Sequence, residues 1–407
     1  MTGFAQAGPE RINLQGRFGM LYKKRLFTPG PTMMPQSISL AMAQEMIHHR
    51  KPEFKALYDK SAASLKTLFG TDLPVLPLSS SGTGAMVAAV CSLFAPGERV
   101  IVIDGGKFGT RWLEICQMHE VEAIHHAVTW GISVDPADIE ALLDADPSIK
   151  GVLVQLSETS TGVLHRVHDI ARITRKRNVL LVVDGISAVA VSPCPMDAWG
   201  VDCLLTGSQK GLMLPPGLAL IALSERAWKR AEAIGPRNFY FNLPAERKNY
   251  EKRQTHFTSP VSLMVGLAEC LAMFDEFTIE QVYRKQWALT QLIRTGVSAL
   301  GLELFVKEHY TWGITSVLLP EGVAAPDLIA RAAKQYGVIM AGGSDEYKRA
   351  MIRIGHMGWV DAFELIGCLY ALASAFTDCG GYLGCRNYME QAMQAYEHAL
   401  REGPPAL

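Results

Sequence analysis

The sequence has no long uninterrupted apolar run. Its longest stretches, such as 179–183 and 212–223, are short or broken by proline and glycine, below the roughly 18 residues a membrane span needs. Residues 1–27 alternate polar, basic and apolar side chains, which is not the layout of a secretory signal. A cytoplasmic protein without a membrane partner is expected. Charge of either sign is not in excess: 39 Lys+Arg stand against 40 Asp+Glu, a formal net charge of −1. That balance argues against broad affinity for nucleic acid or anionic lipid. There are eight cysteines, at 91, 116, 194, 203, 270, 368, 379 and 385, but no CxxC pair. Buried reduced thiols are the plain reading, while Cys379 and Cys385, in a glycine-rich segment, leave redox or metal chemistry open. No low-complexity tract holds the 36 glycines and 21 prolines, so they punctuate many turns. What is present is a 407-residue chain, 49% apolar and 19% charged. Such a composition excludes a disordered chain and favours two domains over one.

Residues 1–30 read as an N-terminal arm ending in the irregular, proline-rich "LFTPGPTMMP". From about 74 to 225, short apolar runs alternate with helical stretches. The runs "VLPLS", "RVIVID", "EAIHHAV", "GVLVQLS", "VLLVVD", "DCLLTGS" and "LALIALS" are read as apolar throughout, as suits strands buried on both faces. Helices are expected from Ala85, from Arg111 and near 167–177. Alternation of this kind predicts an α/β fold with a mainly parallel central sheet and helices on both faces. The large domain is placed at 31–278, and a smaller α+β domain with an extra helical tail at 279–407. The tail from Thr377 reads as a surface helix. Ligands of such sheets bind at the carboxyl ends of the strands.

Three segments put chemistry at strand ends. In "SSSGTGAMVAAV" (79–90), a strand leads through Ser81, Gly82, Thr83 and Gly84 into a helix. Glycines let backbone amides approach an anion, and the helix N-terminus adds its dipole. The alternative is a turn with Thr83 as cap; it is not a Walker loop, since no Gly-Lys-[Ser/Thr] follows. In "LLVVDGISAVA" (180–190), Asp184 closes an apolar run. A carboxylate there needs a cationic or N–H partner, or simply caps a turn. In "VDCLLTGSQKGLMLPPG" (201–217), Lys210 lies amid apolar sequence. Desolvation favours the free amine that Schiff-base chemistry requires; a lysine snorkelling from a loop is the alternative.

A phosphate-grasping glycine loop, a buried aspartate and a buried lysine in that order fit pyridoxal phosphate. With "FTPGPTMMP", "SGTG", "ETSTG", "DGISA", "GSQKGLMLPPG" and "IRIGHMG", almost the whole chain resembles the class V, fold type I, pyridoxal-phosphate aminotransferases. The nearest likeness is to the alanine–glyoxylate and serine–glyoxylate aminotransferases. The resemblance implies that Lys210 is the Schiff-base lysine and that Asp184 holds the pyridine nitrogen. It implies phosphate contacts from Ser81, Gly82, Thr83, Gly84, the Ala85 amide and Gln209. Phe108 would stack on one ring face and Ile186 cover the other, while Thr159 would meet the phenolic oxygen. Thr255 and Thr258 would reach the phosphate from a neighbouring subunit, making the site a shared one in a homodimer. Arg353 would clamp the substrate carboxylate, as a planar guanidinium does well, with Gly30 lining the substrate pocket. His356 is read as structural, and no metal site is expected. Some relatives carry His where Ala85, Tyr where Thr255 and His where Leu156 stand here; each difference removes a polar contact near the cofactor. The implied activity is ping-pong transfer of an amino group from alanine, serine or aspartate to glyoxylate or pyruvate. Two other readings remain: a pyridoxal-phosphate lyase, and a non-catalytic companion of another enzyme, since class V homologues accompany some soluble hydrogenases.

Overall fold

The computed structural model describes residues 15–16, 19–20 and 23–405; most of the expected arm therefore lies outside the described residues. In chain order, the strands used below are β1 (Arg25–Phe27), β2 (Val75–Leu78), β3 (Arg99–Asp104), β4 (Glu122–Ala127), β5 (Gly151–Gln155), β6 (Leu180–Asp184), β7 (Cys203–Gly207), β8 (Ala219–Leu223), β9 (Glu303–Leu304), β10 (Ile314–Leu318), β11 (Val338–Gly342) and β12 (Met351–Gly355). The helices used are α1 (Gly82–Leu93), α2 (Lys107–Met118), α3 (Val261–Phe277), α4 (Ile279–Ala299), α5 (Ala362–Asp378) and α6 (Tyr388–Glu402).

Seven strands form the central sheet, in the order β2-β8-β7-β6-β5-β3-β4. Only β8 runs against its neighbours, pairing antiparallel with both β7 and β2; the other pairs are parallel. The continuous apolar runs have their reason here. β5, β6, β7 and β8 are buried at every residue, as strands covered by helices on both faces must be. Edge strand β4 departs from the expected apolar run: its residues are half-buried or exposed, none fully buried.

A second, five-stranded sheet has the order β9-β10-β12-β11-β1. β1, at the end of the expected arm, joins it by parallel pairing with β11. Thr28 and Pro29 then cross the end of β12, where a Cβ on Gly355 would stand 2.1 Å from the Thr28 carbonyl oxygen. The tail helix α6 is more than a solvated surface helix. It buries Tyr388, Ala392 and Ala399, and a Cβ on Gly296 of α4 would stand 3.2 Å from the Ala392 methyl. Arg284 of α4 also donates to the last carbonyls of α6, at Leu400 and Arg401. Among the described residues, no helix is long and apolar enough to cross a membrane, no cluster of side chains could hold a metal ion, and every cysteine is a free thiol.

Candidate active site

Three adjacent strands deliver the central residues. In the register of the sheet, Asp184 at the end of β6 lies between Gln155 of β5 and Leu205 of β7. The Asp184 side chain is buried, and its Oδ1 accepts a 2.8 Å hydrogen bond from the Ile186 amide. Burial pushes its carboxyl up to about 7. A carboxylate in that state gains most from a further donor carrying positive charge.

On the adjacent strand, the loop after β7 folds back on itself: the Ser208 amide donates to the Leu218 carbonyl and the Leu214 amide to the Ser208 carbonyl. Lys210 therefore points inward, 7% exposed. Its Nζ donates to the Pro29 carbonyl at 2.5 Å. Burial pulls its ammonium down to about 8, although the Asp184 carboxylate opposes the shift. The proline-rich segment is held there by Thr32, which bonds the Lys210 carbonyl through its hydroxyl and the Gln209 carbonyl through its amide. Gly30 is required in this position. Its φ is +147°, and a Cβ would stand 2.7 Å from Lys210 Cδ and Cε.

The glycine loop expected to hold an anion differs from expectation in one respect. Helix α1 starts at Gly82, not Ala85, so Gly82, Thr83 and Gly84 make its first turn. Ser81 precedes it, exposed and extended, with no side-chain cap and no acidic residue in the first turn. The Gly84 amide turns onto the Ser81 carbonyl at 2.8 Å, while the dipole and the other N–H groups of the first turn face a prospective anion. Both glycines are sterically dictated. A Cβ on Gly82 would stand 2.4 Å from Ile186 Cδ1, and one on Gly84 would stand 2.5 Å from the Ser80 hydroxyl. Ala85 is buried in the next turn. Gln209 comes to the same corner: a Cβ on Gly207 would lie 3.0 Å from Gln209 Oε1 and 3.4 Å from the Gly82 nitrogen. That Oε1 is buried and has no hydrogen-bond partner among the described residues.

Helix α2 likewise begins earlier than expected, at Lys107 rather than Arg111, which puts Phe108 in its first turn. Arg111, one turn on, was not singled out from sequence. Its guanidinium lies 4.7 Å over the Phe108 ring and donates to the Thr83 hydroxyl at 3.0 Å. The i, i+3 spacing of Phe108 and Arg111 was the available signal. The Thr159 hydroxyl pairs with the Ser187 hydroxyl at 2.6 Å, both side chains being buried. Ser187 was also missed, although it lies in the quoted "DGISA".

Arg353 comes from β12 of the smaller sheet. Its Nε donates to the Gly342 carbonyl at 2.8 Å and its Nη1 to the Thr159 carbonyl at 2.9 Å. Burial lowers its pKa, with the Glu158 carboxylate opposing. His356, three residues on, is wholly buried between Thr315 and Gln286, and burial pushes it down to about 3. It is a neutral packing residue. Thr255 and Thr258 are the two positions not drawn into this cluster. The Thr255 hydroxyl is committed to the Phe257 carbonyl and the Ser259 hydroxyl. Thr258 is exposed.

One buried amine, one buried carboxylate, a helix N-terminus free of acidic side chains, an aromatic ring and an arginine thus converge on the carboxyl ends of a parallel sheet. A family model, aminotransferase class-V, matches residues 25–360. The chain belongs to the class V aminotransferases. It is 34% identical to the soluble hydrogenase small subunit of Synechococcus sp. (strain PCC 6716), over 88% of this chain and 94% of the relative. It is 32% identical to the serine–glyoxylate aminotransferase of Methylorubrum extorquens, over 88% and 92%. The solved aspartate aminotransferase of Thermus thermophilus superposes with a TM-score of 0.82 at 30% identity, covering 87% of this chain and 99% of that one. The membership makes this class V chain an aminotransferase of α/β fold.

Proposed function

We propose that the protein is a pyridoxal-phosphate-dependent transaminase that moves an amino group from a small amino acid to glyoxylate or pyruvate in a ping-pong cycle. The observation that carries this reading is the pairing of two buried, sparsely bonded groups. Lys210 Nζ has a carbonyl oxygen as its hydrogen-bond partner, and Asp184 accepts from a backbone amide. A pyridinium N–H suits the second and an aldehyde carbon the first, and the unpartnered Gln209 Oε1 marks the corner where the phosphate would sit against α1. When bound, pyridoxal phosphate supplies the carbonyl that takes the amine and a protonated ring that draws electrons from the substrate's α-carbon.

The chain's own residues do the rest. Asp184 keeps the ring nitrogen protonated by pairing with it. The Ala85 amide, with Ser81, Gly82, Thr83, Gly84 and Gln209, would hold the phosphate. Phe108 and Ile186 confine the ring faces, and Thr159 donates at the phenolic oxygen. Arg353 takes the substrate carboxylate in a bidentate pair, next to Gly30. Lys210, as a neutral amine, would carry the proton away from the substrate's α-carbon and later return it. Reversal with a second 2-oxo acid closes the cycle. We further infer a homodimer in which Thr255 and Thr258 serve the partner's phosphate; the exposure of Thr258 in the single chain supports this.

The test is spectroscopic. Purified protein with pyridoxal phosphate is expected to be yellow, to bleach with alanine, serine or aspartate, and to recover with glyoxylate or pyruvate. Lys210→Ala is expected to lose the covalent absorbance band; a band unchanged in that variant would sink the assignment. The relative named as a hydrogenase subunit motivates a second reading, a companion subunit without catalysis. Retention of Lys210, Asp184 and Arg353 in one cluster speaks against it, and a wild-type protein that stays colourless with added cofactor would favour it.

A further inference from the structure

Glu158 is fully buried between the central sheet and α2, and its four side-chain hydrogen bonds come from neutral donors. Its Oε2 accepts from the amides of Phe108 and Gly109, each at 3.2 Å. Its Oε1 accepts from the Ser160 amide at 2.9 Å and the Ser160 hydroxyl at 2.6 Å. Two donors on each oxygen is the full complement of an ionised carboxylate, which only accepts. Burial raises its pKa, and these same donors oppose the rise. The carboxylate also stands at the N-terminus of α2, where the helix dipole favours negative charge.

The same corner holds two other parts of the site. The Ser160 hydroxyl accepts from the Lys107 amide at 3.0 Å, so three successive N–H groups of the first turn of α2 end on residues 158–160. Gly106 closes the corner: a Cβ there would stand 2.4 Å from Ser160 Oγ and 2.7 Å from Glu158 Cδ. Between them, the Thr159 carbonyl receives Arg353 and the Thr159 hydroxyl pairs with Ser187. A buried carboxylate without a direct cationic partner is costly. Here it is retained where three functional side chains hang from one turn.

We propose that Glu158 is a positioning residue: its buried carboxylate pins the Phe108 turn of α2 and, through the adjoining Thr159 peptide, the head of Arg353. It touches neither cofactor nor substrate. The inference rests on the functional reading of Phe108 and Arg353 given above, and it extends that reading to the group that sets their mutual geometry.

The experiment has two parts. In Glu158→Gln, the amide NH₂ faces donors that already point at it, so one pair of bonds must break. In the cofactor-free protein, the Phe108 and Gly109 amides are expected to exchange hydrogen at least about tenfold faster than in wild type. Unchanged exchange at these amides and at Ser160 overturns the pinning. The second part is a pair of double-mutant cycles. Glu158→Gln is expected to weaken pyridoxal phosphate binding about tenfold, and to weaken it much less on a Phe108→Ala background. It is also expected to raise the KM for the amino donor, with no further rise on an Arg353→Ala background. Equal losses on both backgrounds in both cycles would show a merely structural residue and overturn the proposal. Should Glu158→Gln fail to fold, Ser160→Ala removes one donor to Glu158 and the acceptor of the Lys107 amide, and is read in the same way with smaller expected changes. A wild-type protein that takes up no pyridoxal phosphate would defeat the functional reading instead, and the exchange measurement would still decide whether Glu158 pins the helix.

Discussion

Lys210 shows how burial changes the chemistry of an ordinary side chain. An exposed lysine has a pKa near 10.5, and here desolvation brings it to about 8. The neutral, nucleophilic amine therefore accumulates as pH rises through about 8, two or more units earlier than at an exposed lysine. The rate at which the cofactor-free protein condenses with pyridoxal phosphate is expected to climb between about pH 7 and 9 and then level off. A rate still rising steeply at pH 10, measured by stopped-flow absorbance, would contradict the burial argument. The burial of Lys210 and Asp184 was readable from sequence because each interrupts apolar sequence at a strand's end, where an ionisable group is out of place unless partnered. Glu158 was not readable as a separate actor. A glutamate in the Ser/Thr-rich "SETSTG" looks like solvated turn, and only the fold shows four donors closing on it.

Helix starts were the elements least legible in the sequence. α1 and α2 begin three and four residues before the expected Ala85 and Arg111, at Gly82 and Lys107. Glycine has poor helix propensity, which argues for a later start. Its penalty weighs less in the first turn, where the N–H groups have no carbonyl four residues back within the helix. The strands were legible because burial on both faces writes an unbroken apolar run, whereas half-exposed β4 gives a weaker signal. The α1 turn makes its own prediction. In Gly84→Val, the new Cβ would press on the Ser80 hydroxyl and on Phe241, 2.5 and 2.8 Å away. Overpacking of this kind costs about 1–3 kcal/mol. Pyridoxal phosphate affinity, measured by fluorescence titration, is expected to fall at least tenfold, about 1.4 kcal/mol. Unaltered affinity would show that this turn does not hold the phosphate.

At the scale of the molecule, the site draws on both sheets: Asp184 and Lys210 follow strands of the larger one, and Arg353 lies on the smaller. A neighbouring copy is the remaining contributor in our reading. Sedimentation is expected to show a dimer, and mixing Lys210→Ala protein with a Thr255→Ala, Thr258→Ala double variant is expected to restore a site of wild-type affinity in the mixed dimer. Affinities in the mixture that merely average those of the parents would exclude a shared phosphate site. Such sharing is hard to read from sequence, since Thr255 and Thr258 sit in a polar segment with no apolar context to mark them. The route of the chain carries one more consequence. Arg25–Phe27 pair with Val338–Met340, while the next few residues seat against Lys210. During synthesis, the first strand of the smaller sheet must wait for most of the protein to leave the ribosome before its neighbour exists, and this long-range closure is slow by nature. The larger sheet is complete long before that. The lysine's carbonyl partner thus arrives with the last stage of folding, so a nascent or truncated chain holds its strands and its lysine without a finished reaction centre.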